Sequence, residues 1–221
     1  MQAARLQDAI QRGLGIAARH TGGSYRLFRP TQPHHALSPS NQRLALNVTF
    51  APLTGDFRAP VAFGHPGWSG LLDTAYTRPG DYLVASAPPV GGQPAIWFIA
   101  AQQALLPAFC LRVTREISIT RPDAAQSVGI SSYGGGARSQ VVSVVTQWPA
   151  SVLLSEGRGS NPAALPGDVT PGSWSVLFPT AADLQIKIND RITDDLGRTA
   201  IVAAAELIDL GWRLTAREVN V

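Results

Sequence analysis

Cysteine is almost absent from this sequence of 221 residues: Cys110 stands alone, so no intramolecular disulfide and no multi-cysteine zinc cage can hold the fold. Packing must do that instead. Charge is also sparse, at 15% of residues against about a quarter in ordinary domains. Seventeen arginines and the lone Lys187 face 15 acids spread without a block, and the net charge of +3 is too small and dispersed for the basic stripe of a nucleic-acid binder. Apolar runs of the roughly 18 to 20 residues that span a bilayer are missing, and Met1-Gln2-Ala3-Ala4-Arg5 leads into no apolar signal core. The expectation is a chain without a membrane partner.

Hydrophobic residues make up 45%, which argues against disorder, and 21 glycines with 17 prolines mark a turn-rich chain of short elements. Leu6, Ile10, Leu14 and Ala17 recur every three or four positions from Ala3 to His20, the signature of an amphipathic helix that Thr21-Gly22-Gly23 ends. Gly13 and Gly15 each cost about 1 kcal/mol relative to alanine, so this helix needs a surface to dock on, through Leu6, Ile10, Leu14 and the neighbouring Arg12.

Pro30, Pro33 and Pro39 then predict an extended strap, after which Leu44, Leu46, Val48 and Phe50 alternate with smaller or polar residues as in a half-buried strand. Further short apolar runs, Tyr82–Val84, Ala95–Ala101, Phe109–Val113, Val141–Val145, Trp174–Phe178, Ile186–Ile188, Ala200–Ala205 and Trp212–Ala216, are separated by turn residues. This spacing predicts a mainly β fold of small barrels or sandwiches. Ser131-Ser132-Tyr133-Gly134-Gly135-Gly136-Ala137-Arg138-Ser139 is the most linker-like stretch. The expected organisation is a helical arm over 1–22, a Pro-rich strap over 23–43, a first β module over 44–122, a Gly/Ser linker over 123–140 and a second β module over 141–221.

The two modules read as copies. Trp97–Arg115 lies over Ala200–Glu218 without a gap, matching Ile99 to Val202 and Phe109 to Trp212. Upstream, Trp68 answers Trp174 and Gly80-Asp81 answers Asn189-Asp190, with a longer Pro/Gly loop after the first aspartate. Trp148-Pro149-Ala150 is matched more weakly to Phe50-Ala51-Pro52. Trp68, Asp81, Phe109, Trp174, Asp190 and Trp212 are the expected landmarks of two tandem related modules.

Chemical motifs are thin. Gly13-Leu14-Gly15-Ile16-Ala17-Ala18 fits a loose dinucleotide fingerprint, but no strand precedes it. Gly67-Trp68-Ser69-Gly70-Leu71 departs from the nucleophile elbow at its last residue, and no helix pattern follows. His20, His34, His35 and His65 share no i, i+4 spacing on a helix, Cys110 sits in an apolar run, and Asp194-Asp195 suits a turn as well as a cation. Neither a catalytic set nor a cofactor or metal site is expected.

Arg12-Gly13-Leu14-Gly15, Tyr76-Thr77-Arg78-Pro79-Gly80-Asp81-Tyr82-Leu83-Val84 and Trp97-Phe98-Ile99-Ala100-Ala101-Gln102-Gln103 with Leu106-Pro107 resemble segments of uncharacterised proteins from structural gene clusters of tailed bacteriophages and prophages. Asp190-Arg191-Ile192-Thr193-Asp194-Asp195-Leu196-Gly197-Arg198 before a strand resembles the small β-barrel head-closure and head-to-tail joining proteins. The resemblance implies a virion component of the neck or upper tail. Its partners would be further copies of itself in a ring, a portal or adaptor protein and tail proteins, with genomic DNA passing through. Three rivals are a tail nozzle, tube or tip protein, a carbohydrate-binding module that stacks sugar on Trp68, Trp148, Trp174 or Tyr133, and a hydrolase centred on Ser69.

Overall fold

The computed structural model describes residues 2–52, 67–87, 92–122, 141–155, 172–181 and 184–219. Helix α1 (Gln2–Thr21) precedes six strands, β1 (Gly23–Phe28), β2 (Gln42–Pro52), β3 (Gly67–Leu71), β4 (Tyr82–Ala85), β5 (Ile96–Ala101) and β6 (Ala108–Arg112). Six more follow: β7 (Arg115–Pro122), β8 (Val141–Ser155), β9 (Ser173–Phe178), β10 (Arg191–Asp194), β11 (Thr199–Ile208) and β12 (Gly211–Val219). Each set closes into an antiparallel barrel, in the order β1-β2-β3-β6-β5-β4 and again β7-β8-β9-β12-β11-β10. Closure leaves no sheet edge with unpaired backbone groups. The two barrels have one connectivity, as expected for a tandem pair of related β modules.

The boundary between them differs from the linker expectation. Only Val113 and Thr114 separate β6 from β7, and β7 is the first strand of the second barrel, so residues 115–122 leave the first module. Residues 123–140 fall between β7 and β8, outside the described residues. The strap region likewise begins with a strand of the first barrel, β1, which the alternation test missed because Gly23-Ser24-Tyr25-Arg26 carries little apolar signal. Ile186–Ile188 is not a strand: Ile186 is buried in the connection between β9 and β10, and Ile188 is exposed.

Strand registers align the copies residue by residue. Ile99 pairs with Cys110 and Val202 with Ala216, each just before a β-bulge, and Trp68 and Trp174 pair with those same partners, Cys110 and Ala216. Trp68 and Trp174 are therefore equivalent. Phe109 and Trp212 are not: Phe109, opposite Ala101, matches Thr215, opposite Ala204. The second hairpin carries three more residues between Val202 and Ala216 than the first does between Ile99 and Cys110, and a gapless overlay hides an insertion inside an apolar run. Trp148, opposite Ile117, matches Leu46, opposite Tyr25, and not Phe50.

The first barrel's core gathers Leu27, Val48, Leu72, Leu83, Trp97, Ile99, Ala108 and Cys110. Trp97 stacks on Phe50 at 4.0 Å and meets Trp68 edge-on at 5.3 Å. The second barrel holds Trp148 and Trp174 fully buried, with the small Ala200 where the first has Trp97. The bulk has crossed the barrel. Gly70 lies beside Cys110, where a Cβ would come within 2.7 Å of the sulfur, while its counterpart Val176 faces Leu214.

Between the barrels lies one apolar cluster. Outward residues of the first barrel, Phe28, Tyr82, Val84, Phe98 and Leu111, join one cluster with Trp148, Leu184, Ile186 and Trp212 of the second. This accounts for β4, Tyr-Leu-Val-Ala, being buried along its whole length: one face feeds its own barrel and the other feeds the junction. The Tyr82 hydroxyl donates to the Pro149 carbonyl at 2.7 Å across it. The strap over 29–41 reaches the second barrel too, through backbone bonds from His35 to Thr146 and from Thr146 to Pro33, and Ala36 is fully buried there.

Candidate functional site

The strongest polar constructions are two copies of one clasp. Arg29, just past β1, donates from Nε and a terminal nitrogen to both carboxylate oxygens of Asp81, at 2.8 and 2.7 Å. Arg121, at the same place in β7, does so to Asp190, at 2.8 Å each. Each aspartate also accepts the amide of the residue three before it, Arg78 or Lys187, and each arginine reaches the carbonyl five before the aspartate, Tyr76 or Gln185. Asp81 and Asp190 are buried. Desolvating a carboxylate costs several kcal/mol unless a partner compensates, and a bidentate guanidinium with a backbone N–H supplies that partner. The bond to the carboxylate raises the pKa of both arginines.

The residue before each aspartate, Gly80 or Asn189, has φ of +94° or +72°. Glycine takes this left-handed turn freely and asparagine is among the few other residues that tolerate it. Its N–H bonds Ile99 or Val202, just before the bulge, and the aspartate's own carbonyl accepts from that same residue. The landmarks Asp81 and Asp190 thus tie the barrel's first strand, its fourth and its bulge together. Sequence reasoning found the aspartates as landmarks of the repeat and missed their arginines. The signal was there: Arg29-Pro30 and Arg121-Pro122 are the same dipeptide at the end of the first strand of each copy.

A third carboxylate, Asp194, is also buried and accepts the amides of Leu196 and Arg198 and the Arg198 guanidinium, closing the β10–β11 turn with Gly197 at φ +77°. Asp194-Asp195 is turn chemistry, with Asp195 turned toward Arg115 at 3.9 Å. Ser69 sits mid-strand between Ala51 and Phe109, with no strand-to-helix turn. Cys110 is buried and its thiol is pushed up to about 12 by desolvation, which keeps it protonated and inert. His34 and His35 hydrogen-bond Thr146 and Gln147, while His65 and Tyr133 lie outside the described residues. Among the described residues, no three His, Cys, Asp or Glu side chains gather as metal ligands.

Helix α1 is where the surface is unusual. It rests on β2, β3 and the 3-10 turn Thr74–Tyr76, and is anchored at its C-terminal end. Ala18 is buried, Gly22 lies so close to the Val48 carbonyl that a Cβ would reach 2.4 Å, and Thr21 shares a hydroxyl contact of 2.8 Å with Thr49. Gly15 meets the Asp73 side chain, while Gly13 faces open space, so close packing explains one of the two helix glycines. Of the residues expected to dock, Leu14 and Ile10 are half-buried, Arg12 is exposed and Leu6 is 53% exposed. The apolar stripe faces the barrel only in part. Arg5, Arg12 and Arg19 line one flank at seven-residue spacing, all exposed, with Ile16 beside them at 50%.

Compared with known proteins, the chain matches no family model, no curated protein and no solved structure.

Proposed function

We propose that this chain is a structural, non-enzymatic component of a tailed-phage particle: a ring-forming connector in the neck or upper tail that joins portal and tail through its surfaces. The phage setting rests on the sequence resemblance described above. The observation that carries an assembly role is the partial cover of α1, a 20-residue helix whose Leu6, Ile10 and Ile16 are left wholly or partly open to water. A helix this short has little stability of its own, and further burial of its apolar flank on a neighbouring subunit would supply what the barrel does not. Head-to-tail contacts between identical subunits close into a ring when the rotation permits.

A tail nozzle, tube or tip position would use the same chain in a ring elsewhere in the particle. The sugar-binding reading loses two stacking platforms, because Trp148 and Trp174 are fully buried inside the second barrel. Imaging the particle that encodes the chain tests the proposal. A ring of this protein between portal and tail supports it; a protein absent from the particle, or monomeric within it, overturns it.

A further inference from the structure

Between α1 and the first barrel runs an open groove of about 590 Å³ whose walls include Arg12, Ile16, Arg19, Leu46 and Tyr76, with Asp73 at one side. Its mouth is basic and its floor apolar. Among the described residues neither Arg12 nor Arg19 forms an ion pair, whereas the Asp73 carboxylate already accepts the Ala75 amide. On the second barrel the tip of the β11–β12 hairpin, whose Asp209 and Leu210 lie beside Pro79, Gly80 and Ala100 of the first barrel, carries the opposite chemistry. This tip, Glu206-Leu207-Ile208-Asp209-Leu210, leaves Leu207 54% and Leu210 36% exposed, with exposed acids at either side. Arg213 faces Glu206 across the hairpin, so Asp209 is the unopposed acid.

The segment that carries this tip, between Ala204 and Thr215, holds three residues that its counterpart between Ala101 and Phe109 lacks. Barrel closure does not require them, since the first barrel closes without them. We infer that the hairpin tip of one copy docks in the helix–barrel groove of the next, Leu207 and Leu210 entering beside Ile16 and Tyr76 while Asp209 meets Arg12 and Arg19. The inference rests on the ring-forming reading above and names its contact. Groove and tip belong to different barrels, so every copy offers both halves and the contact propagates head to tail.

Two variants and their mixture test it by light scattering and sedimentation velocity. Arg12→Glu with Arg19→Glu spoils the groove and keeps the tip; Leu207→Ser with Asp209→Ser spoils the tip, offers no cation to the altered groove, and keeps its own groove. The wild type is expected as a ring and each variant as a monomer, while an equimolar mixture gives a 1:1 dimer, which also demonstrates that both variants are folded. Variants that keep the mass of the wild-type ring overturn this contact and leave the ring reading standing. A mixture that stays monomeric also overturns the contact, and a wild type that is monomeric at all concentrations overturns both.

Discussion

The two barrels share a circuit and differ in what they show to the outside. Along one row of cross-strand partners the first barrel carries Phe28, Tyr82, Phe98 and Leu111; the equivalent row of the second carries Thr120, Arg191, Ile201 and Arg217. The first row is buried against the second barrel, while Arg191, Ile201 and Arg217 face solvent. Inside, equivalent positions stay apolar and exchange size: Leu27 for Ile119, Leu83 for Ile192, Trp97 for Ala200, Leu46 for Trp148. A duplicated unit thus keeps its closure and its clasp, repacks its core within constant character, and rewrites its outer face according to what covers it. Because the second barrel's row is mostly exposed and carries two arginines, the barrel-on-barrel junction is made once and does not itself repeat.

If the clasp is what the copies must keep, breaking it should cost the same in each. Arg29→Ala leaves the buried Asp81 without its guanidinium, and Arg121→Ala does so to Asp190; each should destabilise by about 3–5 kcal/mol, the cost of orphaning a buried charge. Urea unfolding monitored by tryptophan fluorescence measures both. Since the junction cluster ties the first barrel's outer row to the second barrel's core, each variant should lose stability in one transition. Two separate transitions, or a loss below about 1 kcal/mol in either copy, would break the equivalence.

The exchange of core volume can be probed where the copies differ most sharply, at Gly70 and Val176. Gly70→Ala drives a methyl group into the Cys110 sulfur and should cost about 1–3 kcal/mol by overpacking. Adding Cys110→Ala, the residue the second barrel has at that place, should recover much of the loss, giving a coupling within the 0.5–3 kcal/mol seen for residues in contact. Additive losses would mean that the sulfur is not what excludes the methyl.

These contrasts show what the sequence could reveal. Period-two alternation marked β2, and the matched Trp68/Trp174 and Asp81/Asp190 survived in the registers because each sits at a position that closure or the turn dictates. β1 stayed hidden because Gly23-Ser24-Tyr25-Arg26 lacks alternation, its apolar character concentrated in Leu27 and Phe28, which face opposite clusters. The glycine-rich 134–136 stretch drew the domain boundary to a connection inside a barrel, since composition reports the absence of packing surface and not which strands lie on either side. Helix α1 was legible as amphipathic, yet hydrophobic spacing cannot tell a face buried by its own barrel from one awaiting a neighbour. The arginine of each clasp was invisible to a search by landmarks because it lies far from its aspartate along the chain.

The junction offers a smaller test. Tyr82→Phe removes the donor to the Pro149 carbonyl and leaves the ring packing in place, so about 0.5–1.5 kcal/mol should be lost. The corresponding change on the second barrel, Arg191→Ala, touches an exposed position and should stay within about 0.5 kcal/mol of wild type. Chemical denaturation of the pair measures the asymmetry between the two rows, and equal losses would erase it.

The smallest effect concerns the cleft beside the Val113-Thr114 connection, which Arg112, Arg115, Glu116 and Asp195 line. Glu116 has its pKa raised above the ordinary glutamate value, first by burial and then by the Asp195 carboxylate, with His35 opposing. A raised folded-state pKa means that the folded chain holds this proton more tightly than the unfolded chain. The resulting stability is present in full below the unfolded glutamate pKa and is lost as pH rises through the folded one. Glu116→Gln removes that loss, so the variant should match wild type in acid and exceed it at pH 7. Because solvent still reaches the carboxylate, the gain should be at most about 0.5 kcal/mol. Thermal melts of both proteins at pH 4 and pH 7 read it directly, and a variant less stable than wild type at pH 7 would show that the charged Glu116 carboxylate stabilises the fold.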